Sequence, residues 1–273
     1  MSETLELGEL PNGHLSATSI EMFRRCPQQY AFRYMDGIKR PPPGAIIVGT
    51  SVHKGLETDM TQKIITKENM TTEEVKEVAS DAFDKAVKEA GERAGGVDWE
   101  DAEPGREKDS ALSVLGHYHA AVAVGIQPVE SESAFEISFA ESKATLVGRI
   151  DTISDKKEII DFKTSKMYKK SIESTAQHPV PFQLKVYQLA RPDAEKLRLD
   201  YMLKNKTAPD TATVVYDKLP QDQIDHTLLE IQKVTTAIKT GIFYTNPGFQ
   251  YLNCKLCGYR EMCPLWKGRS ISS

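Results

Sequence analysis

Long apolar runs are missing from this sequence, and their absence excludes proteins that cross a membrane by helices. A membrane-spanning helix needs about 20 consecutive apolar residues, and no stretch of the 273-residue chain approaches that length. A signal peptide is not expected either, because Met1 to Glu9 carries acids where such a peptide has a basic region followed by an apolar one. We therefore expect an intracellular, cytoplasmic protein that has no membrane partner.

Cysteine is scarce as well. The chain has four cysteines, and three of them lie within the last twenty residues. Stable disulfides are uncommon in a reducing compartment. The three closely spaced cysteines therefore indicate a metal or cluster site.

The sequence also has no G-x₄-G-K-[ST] motif, no internal repeat and no low-complexity tract. Without that motif the chain has no P-loop of its own, so any ATP-driven step coupled to its function has to come from another protein. Neither sign of charge dominates, since 35 Lys and Arg face 39 Asp and Glu, and 40% of the residues are hydrophobic. This composition excludes a disordered chain and provides for a folded core.

Helical periodicity dominates the first half of the chain. Thr18 is expected to cap the first helix, with Glu21 three residues on, and the turn from Pro41 to Gly44 is expected to stop any helix. The remaining predictions for this half are a helix from about Thr50, helices over 71–90 and 111–124, and a surface loop over 91–109.

Short runs rich in β-branched and aromatic residues follow Pro128. The first three are expected to form an antiparallel meander. The order of helices and strands predicts an α+β fold with one central mixed β-sheet flanked by helices. The predicted strands are 133–139, 145–153, 158–164, 196–203 and 211–216, and the predicted helices are 181–190 and 221–239.

Two aspartates are predicted to meet across the second and third strands. If the hairpin is centred near Lys156, Asp151 and Asp161 each lie five residues from that centre and face each other across the ladder. Lys163 shares the face of Asp161, while Phe162 points into the opposite layer. Two like charges directly opposite are destabilising, and a divalent cation would remove that penalty.

Two interpretations of this constellation remain. A lone Asp-x-Lys in a strand is common and on its own indicates a structural salt bridge near a sheet edge. Two opposed acids and a lysine on one buried face favour a metal site, because buried charges are costly unless they are paired or metal-bound. A hard cation such as Mg²⁺ would leave positions for a phosphate and a water, with Lys163 beside them.

The cysteine spacing admits two kinds of site. Cys254 and Cys257 form a C-x₂-C, five residues separate Cys257 from Cys263, and Cys26 stands 227 intervening residues upstream. Four thiolates can close a tetrahedral Zn²⁺ site or hold an iron–sulfur cluster. Spacing alone does not choose, although structural zinc usually draws its ligands in two local pairs.

Basic residues are concentrated in two places, although the net charge is −4. Residues 161–170 contain four lysines against one acid, and residues 20–40 contain five basic residues against two acids. Solvated surface charge explains each run in isolation, but their positions beside the motifs favour a track for phosphates. Tyr168, which lies among the lysines, would suit stacking on an unpaired base.

Taken in order, four segments resemble the motifs of RecB-like PD-(D/E)XK nucleases. They are Gly49-Thr-Ser-Val-His-Lys-Gly55, Gly148-Arg-Ile-Asp151, Ile160-Asp-Phe-Lys-Thr164 and Gln183-Leu-Lys-Val-Tyr187. The resemblance runs from about Ser16 to Trp266. Ile150 occupies the position of the proline that gives the family its name, as is common in the RecB-like branch.

The resemblance implies a restriction-endonuclease-like core and a metal-dependent DNA nuclease. Asp151 and Asp161 would bind Mg²⁺ or Mn²⁺, with the backbone carbonyl of Phe162 and the His53 side chain as further ligands. It also implies one nuclease domain over 1–273. In it, 14–127 would be mostly helical, 128–242 would be the catalytic core, and 243–273 would be a Cys-rich segment that packs with Cys26.

The resemblance further implies that Lys163 is the catalytic lysine. Gln183 and Tyr187, one helical turn apart, would support the catalytic centre and the DNA strand. Considered alone, these two would be a surface polar residue and a residue at the edge of the core, and a lone His53 would be structural.

The cysteines resemble those of the iron–sulfur subgroup, which includes the AddB nuclease domain, CRISPR-associated adaptation nucleases and stand-alone single-strand exonucleases. This implies a [4Fe-4S] cluster with a structural role, held by Cys26, Cys254, Cys257 and Cys263. The implied activity is that of an exonuclease on single-stranded DNA ends in recombination, repair or CRISPR adaptation, of phage or prokaryotic origin, with a helicase or recombination protein in trans. The alternative is a non-catalytic iron–sulfur subunit that binds DNA ends within a larger helicase–nuclease complex.

Overall fold

The computed structural model describes residues 8–204, 208–255 and 257–266. The helices are α1 (Ala17–Arg25), α2 (Pro27–Tyr30), α3 (Gly44–Thr66), α4 (Thr72–Ala94), α5 (Pro104–Ala121), α6 (Lys169–Ser174), α7 (Phe182–Ala190), α8 (Gln221–Lys239) and α9 (Leu252–Lys255). The strands are β1 (Pro128–Phe139), β2 (Ala144–Ser154), β3 (Glu158–Ser165), β4 (Lys196–Leu203) and β5 (Asp210–Asp217). Among the described helices, none is both long and apolar enough to span a bilayer.

Two helix starts differ from the sequence prediction. Ser16, not Thr18, caps α1, because its hydroxyl accepts from the Ser19 amide at 3.2 Å while the Ser19 hydroxyl accepts from the Ser16 amide at 2.9 Å. α3 begins at Gly44 and not near Thr50. The prolines at 41–43 stop any preceding helix from continuing, but they do not prevent a new helix from starting at the next residue.

The loop predicted over 91–109 is wrong for most of its length, since only 95–103 separates α4 from α5. α4 ends where Gly95 adopts a left-handed φ of 76°. α5 begins with Pro104, and the Glu103 carboxylate accepts two backbone N–H groups of the first turn. The acids and proline that resembled loop composition are therefore the start signal of a helix.

The five strands form one sheet in the order β1-β2-β3-β4-β5. β2 pairs antiparallel with β3, β3 pairs parallel with β4, and β4 pairs antiparallel with β5. The chain reaches β4 from β3 through α6 and α7, the longer connection that a parallel pair requires. The predicted α+β fold with a central mixed sheet flanked by helices is confirmed.

The chain divides into two compact units, described separately here. The first is built from the described parts of 1–40, 135–148 and 220–273. In it, Leu15 bridges to Leu146, and Arg24 forms an ion pair of 2.7 Å with Glu230. The second unit is built from the described parts of 41–134 and 149–219. The prediction of a single nuclease domain over 1–273 stays a prediction.

The core of the second unit lies between α3, α4 and α5 and one face of β3. Ile160 and Phe162 belong to it, together with Val52, Leu56 and Tyr118. Each fully buried aliphatic or phenyl side chain contributes about 1.5–3 kcal/mol by leaving water. This packing fixes which face of β3 points away from the three helices, and that face carries Asp161 and Lys163.

Gly55 sets the distance between α3 and α4. A β-carbon at this position would lie 3.0 Å from Leu115 Cδ2, 3.0 Å from the Val75 carbonyl oxygen and 3.3 Å from Ala79 Cβ. One of these neighbours is backbone and cannot rotate away. The close contact of the two helices therefore requires glycine here.

Substituting Gly55 with valine is expected to destabilise the protein by about 1–3 kcal/mol, because a branched side chain overpacks this contact. Urea unfolding measures the change. Gly91→Val is the control, since Gly91 also lies within a helix and has no described atom within 4 Å of its would-be β-carbon. Equal stability of the two variants would contradict the packing role of Gly55.

Candidate active site

The β2–β3 hairpin places Asp151 and Asp161 one residue beyond its last recorded pair, one on each strand. The recorded pairs are Thr152 with Ile160 and Ile153 with Ile159. Both pairs are centred on Lys156, which confirms the predicted centre of the hairpin. Asp151 and Asp161 are 9% and 1% exposed, so two acids are buried at the same end of the hairpin.

The ladder opens where these acids lie, and the backbone of Phe162 has side-chain partners there. Its amide donates to Asp151 Oδ2 at 2.9 Å, and its carbonyl accepts from His53 Nε2 at 2.9 Å. His53 Nδ1 lies 3.4 Å from the same Asp151 oxygen. Three of the four predicted metal ligands, namely His53, Asp151 and the Phe162 carbonyl, are thus in direct contact.

Lys163 is held by a chain of polar contacts that ends on α7. Its ammonium lies 2.7 Å from Asp161 Oδ2 and donates to Gln183 Oε1 at 2.9 Å. Gln183 Nε2 donates in turn to the Tyr187 hydroxyl at 2.6 Å. The one-turn spacing of Gln183 and Tyr187 therefore places Gln183 against the lysine and Tyr187 behind Gln183; their roles at the site stay a prediction.

Glu132 on β1 was missed by the sequence reasoning. Its carboxylate, His53 and Asp151 offer ligand atoms that all lie within 4.8 Å of one another. Asp161 is not part of this compact group and contacts Lys163 instead. The geometry therefore adds one candidate ligand and places one predicted ligand beside the group.

Backbone strain explains why the sequence pattern did not reveal Glu132. Its φ is +50°, in the left-handed region of the backbone that residues other than glycine rarely adopt. Along β1 the alternation changes phase around it: Val129 is exposed before it, whereas Ala134, Glu136 and Ser138 are exposed after it. This is the effect of a bulge. Of the several acids in this strand, only the folded backbone shows which one faces the site.

Burial and crowded carboxylates shift three pKa values. Burial raises the pKa of Asp161, and the Lys163 ammonium only partly offsets it. Burial, together with the Asp151 carboxylate, raises the pKa of Glu132. Burial lowers the pKa of the His53 imidazole, but its hydrogen bond and attraction to Asp151 outweigh that effect, so the net pKa is raised. Neighbouring carboxylates thus add to the effect of burial on the pKa values of Asp161 and Glu132, and they oppose it at His53.

The residues present fit a divalent cation. Oδ1 of Asp161 is buried and accepts no hydrogen bond from any residue that the structure describes, an unusual state for a buried acceptor. The oxygen and imidazole donors of Glu132, Asp151 and His53 suit Mg²⁺ or Mn²⁺. A cation would balance the excess negative charge and supply the missing partner.

The four cysteines all line one cavity of the first unit. All are thiols. Burial raises the pKa of Cys257, and the nearby Cys26, Cys254 and Cys263 raise it further. No three of these described sulfurs lie within 4.8 Å of one another. The fold therefore brings Cys26 to the same cavity as the three late cysteines. Their sulfur atoms lie farther apart than the ligand atoms of His53, Glu132 and Asp151.

The basic runs are largely matched by acids. Lys166 contacts Glu107 at 3.2 Å, and Lys169 contacts Asp210 at 3.4 Å. Such exposed pairs contribute only about 0–1 kcal/mol, so phosphates can replace the acids. Tyr168 is exposed, as stacking on a base would require.

Comparison with known proteins decides the family. The model of the PD-(D/E)XK nuclease superfamily matches residues 14–264. The chain belongs to this superfamily. Nucleases of the PD-(D/E)XK superfamily use divalent metal ions, in agreement with the donors found at the hairpin. No curated protein matches the sequence.

Two solved structures illustrate the likeness of this PD-(D/E)XK chain to other proteins. A protein from Eubacterium rectale, described as a candidate exonuclease, is 12% identical with a TM-score of 0.56, over 96% of this chain and 90% of that one. A phage-related exonuclease from Haemophilus somnus 129PT is 12% identical with a TM-score of 0.34, over 76% and 96%. At this identity the first shows a shared fold.

Substituting Glu132 with glutamine is expected to weaken Mn²⁺ binding about tenfold or more. The same change should leave the metal-free protein at least as stable as wild type, because it removes one of several crowded like charges. Isothermal titration measures binding, and calorimetric melting in EDTA measures stability. Glu136→Gln is the control, since Glu136 is exposed on the same strand. Equal Mn²⁺ affinity of the two variants would exclude Glu132 as a ligand.

Proposed function

We propose that this chain is a metal-dependent DNA nuclease that acts as an exonuclease on single-stranded ends. One observation carries the proposal: His53, Glu132 and Asp151 meet within 4.8 Å at the end of the hairpin that holds the Asp161–Lys163 pair. Membership of the PD-(D/E)XK superfamily supports the nuclease activity. The preference for ends and single strands rests on the motif resemblance, and the description of the Eubacterium rectale protein as an exonuclease agrees with the preference for ends.

The cation would be held by Asp151, His53, Glu132 and the Phe162 carbonyl. Asp161 would bind the cation as well while it keeps its contact with Lys163. Bound there, Mg²⁺ or Mn²⁺ would supply a Lewis acid for the phosphodiester and acidify a water. Phe162 stays in register with Asp200 of β4, and its carbonyl contacts the His53 side chain rather than a recorded β2 partner, so binding a cation there would break no recorded pair of strand residues.

Lys163 would act directly on the reacting groups. Its ammonium can donate to the attacking water or to a phosphate oxygen on which negative charge develops. Gln183 and Tyr187 hold the long, flexible side chain at the site, so less conformational entropy is lost during the reaction. Asp161 holds the ammonium from the other side through an ion pair of 2.7 Å.

We further propose that the cysteines hold a [4Fe-4S] cluster. A tetrahedral zinc site with Zn–S bonds of about 2.3 Å requires thiolates about 3.8 Å apart. The sulfurs lining the cavity are more widely spaced, since no three of those described lie within 4.8 Å of one another. A four-iron cubane is larger than one ion and suits that spacing better. The cluster would tie Cys26 to the C-terminal part of its unit, a structural role.

The wider setting is proposed from the resemblance alone. A helicase or recombination protein would act in trans, in the cytoplasm of a prokaryote or in a phage system, during recombination, repair or CRISPR adaptation. The rival proposal, a non-catalytic iron–sulfur subunit that binds DNA ends, has less support. A site kept only as scaffold would not need the Lys163–Gln183–Tyr187 chain of contacts.

Substituting Lys163 with alanine is expected to lower the cleavage rate at least about 10²–10³-fold, because one charged donor to the transition state is lost. Labelled single strands with Mg²⁺ or Mn²⁺, resolved on denaturing gels, measure the rate. Lys156→Ala, at the exposed turn of the same hairpin, is the control.

Wild-type protein should shorten single strands from an end, and substrates blocked at one end or the other report the direction. A shifted band without shortened product would favour the rival, non-catalytic function. Full activity of Lys163→Ala would refute the assigned role of the lysine.

Protein purified without oxygen is expected to be brown and to contain iron and sulfide in equal amounts. Cys254→Ser combined with Cys257→Ser should remove the colour and lower the unfolding temperature, since the cluster links distant parts of the chain. Visible absorption and iron analysis measure this. A colourless wild-type protein with one zinc ion per chain would contradict the proposal, because Zn²⁺ is d¹⁰.

A further inference from the structure

Helix α3 contains three glycines, and packing explains two of them. A β-carbon on Gly44 would lie 2.4 Å from the Trp99 ring, and one on Gly55 would meet α4 and Leu115. A β-carbon on Gly49 would have no described atom within 4 Å. Glycine inside a helix costs about 1 kcal/mol relative to alanine. Contacts within the described protein give no reason for that cost at Gly49.

Gly49 lines a cleft between α3 and α4 with a volume of about 840 Å³. Ile46, Gly49 and His53 follow one another along the α3 side of the cleft, one helical turn apart. On the α4 side, Val78, Ala82 and Ala86 recur every four residues and present small aliphatic side chains. Glu132 and Asp151 also line the cleft, so it is continuous with the candidate metal ligands.

The size of the cleft limits its occupant. Pockets that enclose one small organic ligand measure about 300–1,000 Å³, so this cleft has room for a short unpaired segment of nucleic acid. Ile46 is 58% exposed although it is apolar. An exposed isoleucine on the same helix face as His53 offers a surface for the flat face of a base.

The mixed charge of the cleft lining favours contact with the bases of a nucleic acid over contact with its phosphate backbone. Lys54 and Lys85 line the cleft, but so do Glu57, Asp81 and Glu89, and Lys54 contacts Glu57 at 2.7 Å. A groove that binds nucleic acid through phosphates alone is strongly basic. The aliphatic sides therefore have to provide much of the binding.

We propose that this cleft binds the unpaired nucleotides next to the scissile phosphate, with a base against Ile46 and the strand passing over Gly49. The inference rests on the proposed nuclease function and adds a specificity site to it. Gly49 lacks a side chain because the strand would occupy that space. A duplex end would have to be unpaired before it could reach the metal ligands.

Gly49→Leu tests the proposal. Leucine is a good helix former, so the variant should melt at or above the wild-type temperature. It should nevertheless bind a fluorescein-labelled oligo(dT) at least tenfold more weakly, measured by anisotropy with Ca²⁺ in place of Mg²⁺, and raise the KM for single-strand cleavage similarly. A purely structural glycine would not combine higher stability with weaker binding.

Gly91→Leu is the matched control. Gly91 lies within α4, has no described atom within 4 Å of its would-be β-carbon and does not line the cleft. A second pair compares Ile46→Ser with Ile65→Ser, since Ile65 is 77% exposed on the same helix but outside the cleft. Only the Ile46 variant should bind the oligonucleotide more weakly.

The outcomes separate the two proposals. If Gly49→Leu and Gly91→Leu bind the oligonucleotide equally, the cleft proposal is overturned while cleavage by wild type still supports the nuclease. If wild type cuts no substrate with Mg²⁺ or Mn²⁺, the proposed function fails, and the binding comparison still decides the cleft. Equal affinity of wild type for blunt duplex and single strand would also overturn the cleft proposal.

Discussion

Carboxylate crowding at the open end of the β2–β3 hairpin is the constraint on which the rest of the site depends. Asp151 lies close to Glu132 and influences Asp161 in a partly buried setting, where charges interact strongly and water screens them poorly. Lys163 and His53 offset part of this charge. The crowding costs stability in the metal-free protein, and the proposed cation would offset that cost.

Helix α3 connects that site to the rest of its unit. One face packs Val52 and Leu56 into the core shared with β3, and this packing fixes the position from which His53 reaches the Phe162 carbonyl. Another face borders the cleft that leads to the same ligands. Because Gly55 permits the close approach of α4, a single helix sets the core, a ligand and the access to the site.

The sequence was most informative where period and chemistry agreed. Strand β4 and helix α8 were predicted at their observed bounds, because alternation and helical periodicity were uninterrupted there. The loop over 91–109 failed because Pro104 and Glu103 can end a loop or begin a helix, and local composition does not distinguish the two. Thr18 failed as a cap because α1 already begins at Ala17, where Ser16 caps it by accepting from the Ser19 amide.

By itself, the sequence determined the α+β fold, the hairpin centre at Lys156 and the placement of Asp151 and Asp161 at the same end of that hairpin, since strand alternation and turn position follow from local spacing. The tertiary structure alone decided that Glu132 joins the site, that Asp161 is held by Lys163, and that a cleft lies beside His53. Glu132 depends on a left-handed backbone within β1, and the cleft depends on the distance between two helices. Neither is encoded in a run of neighbouring residues, because both arise only when distant segments pack together.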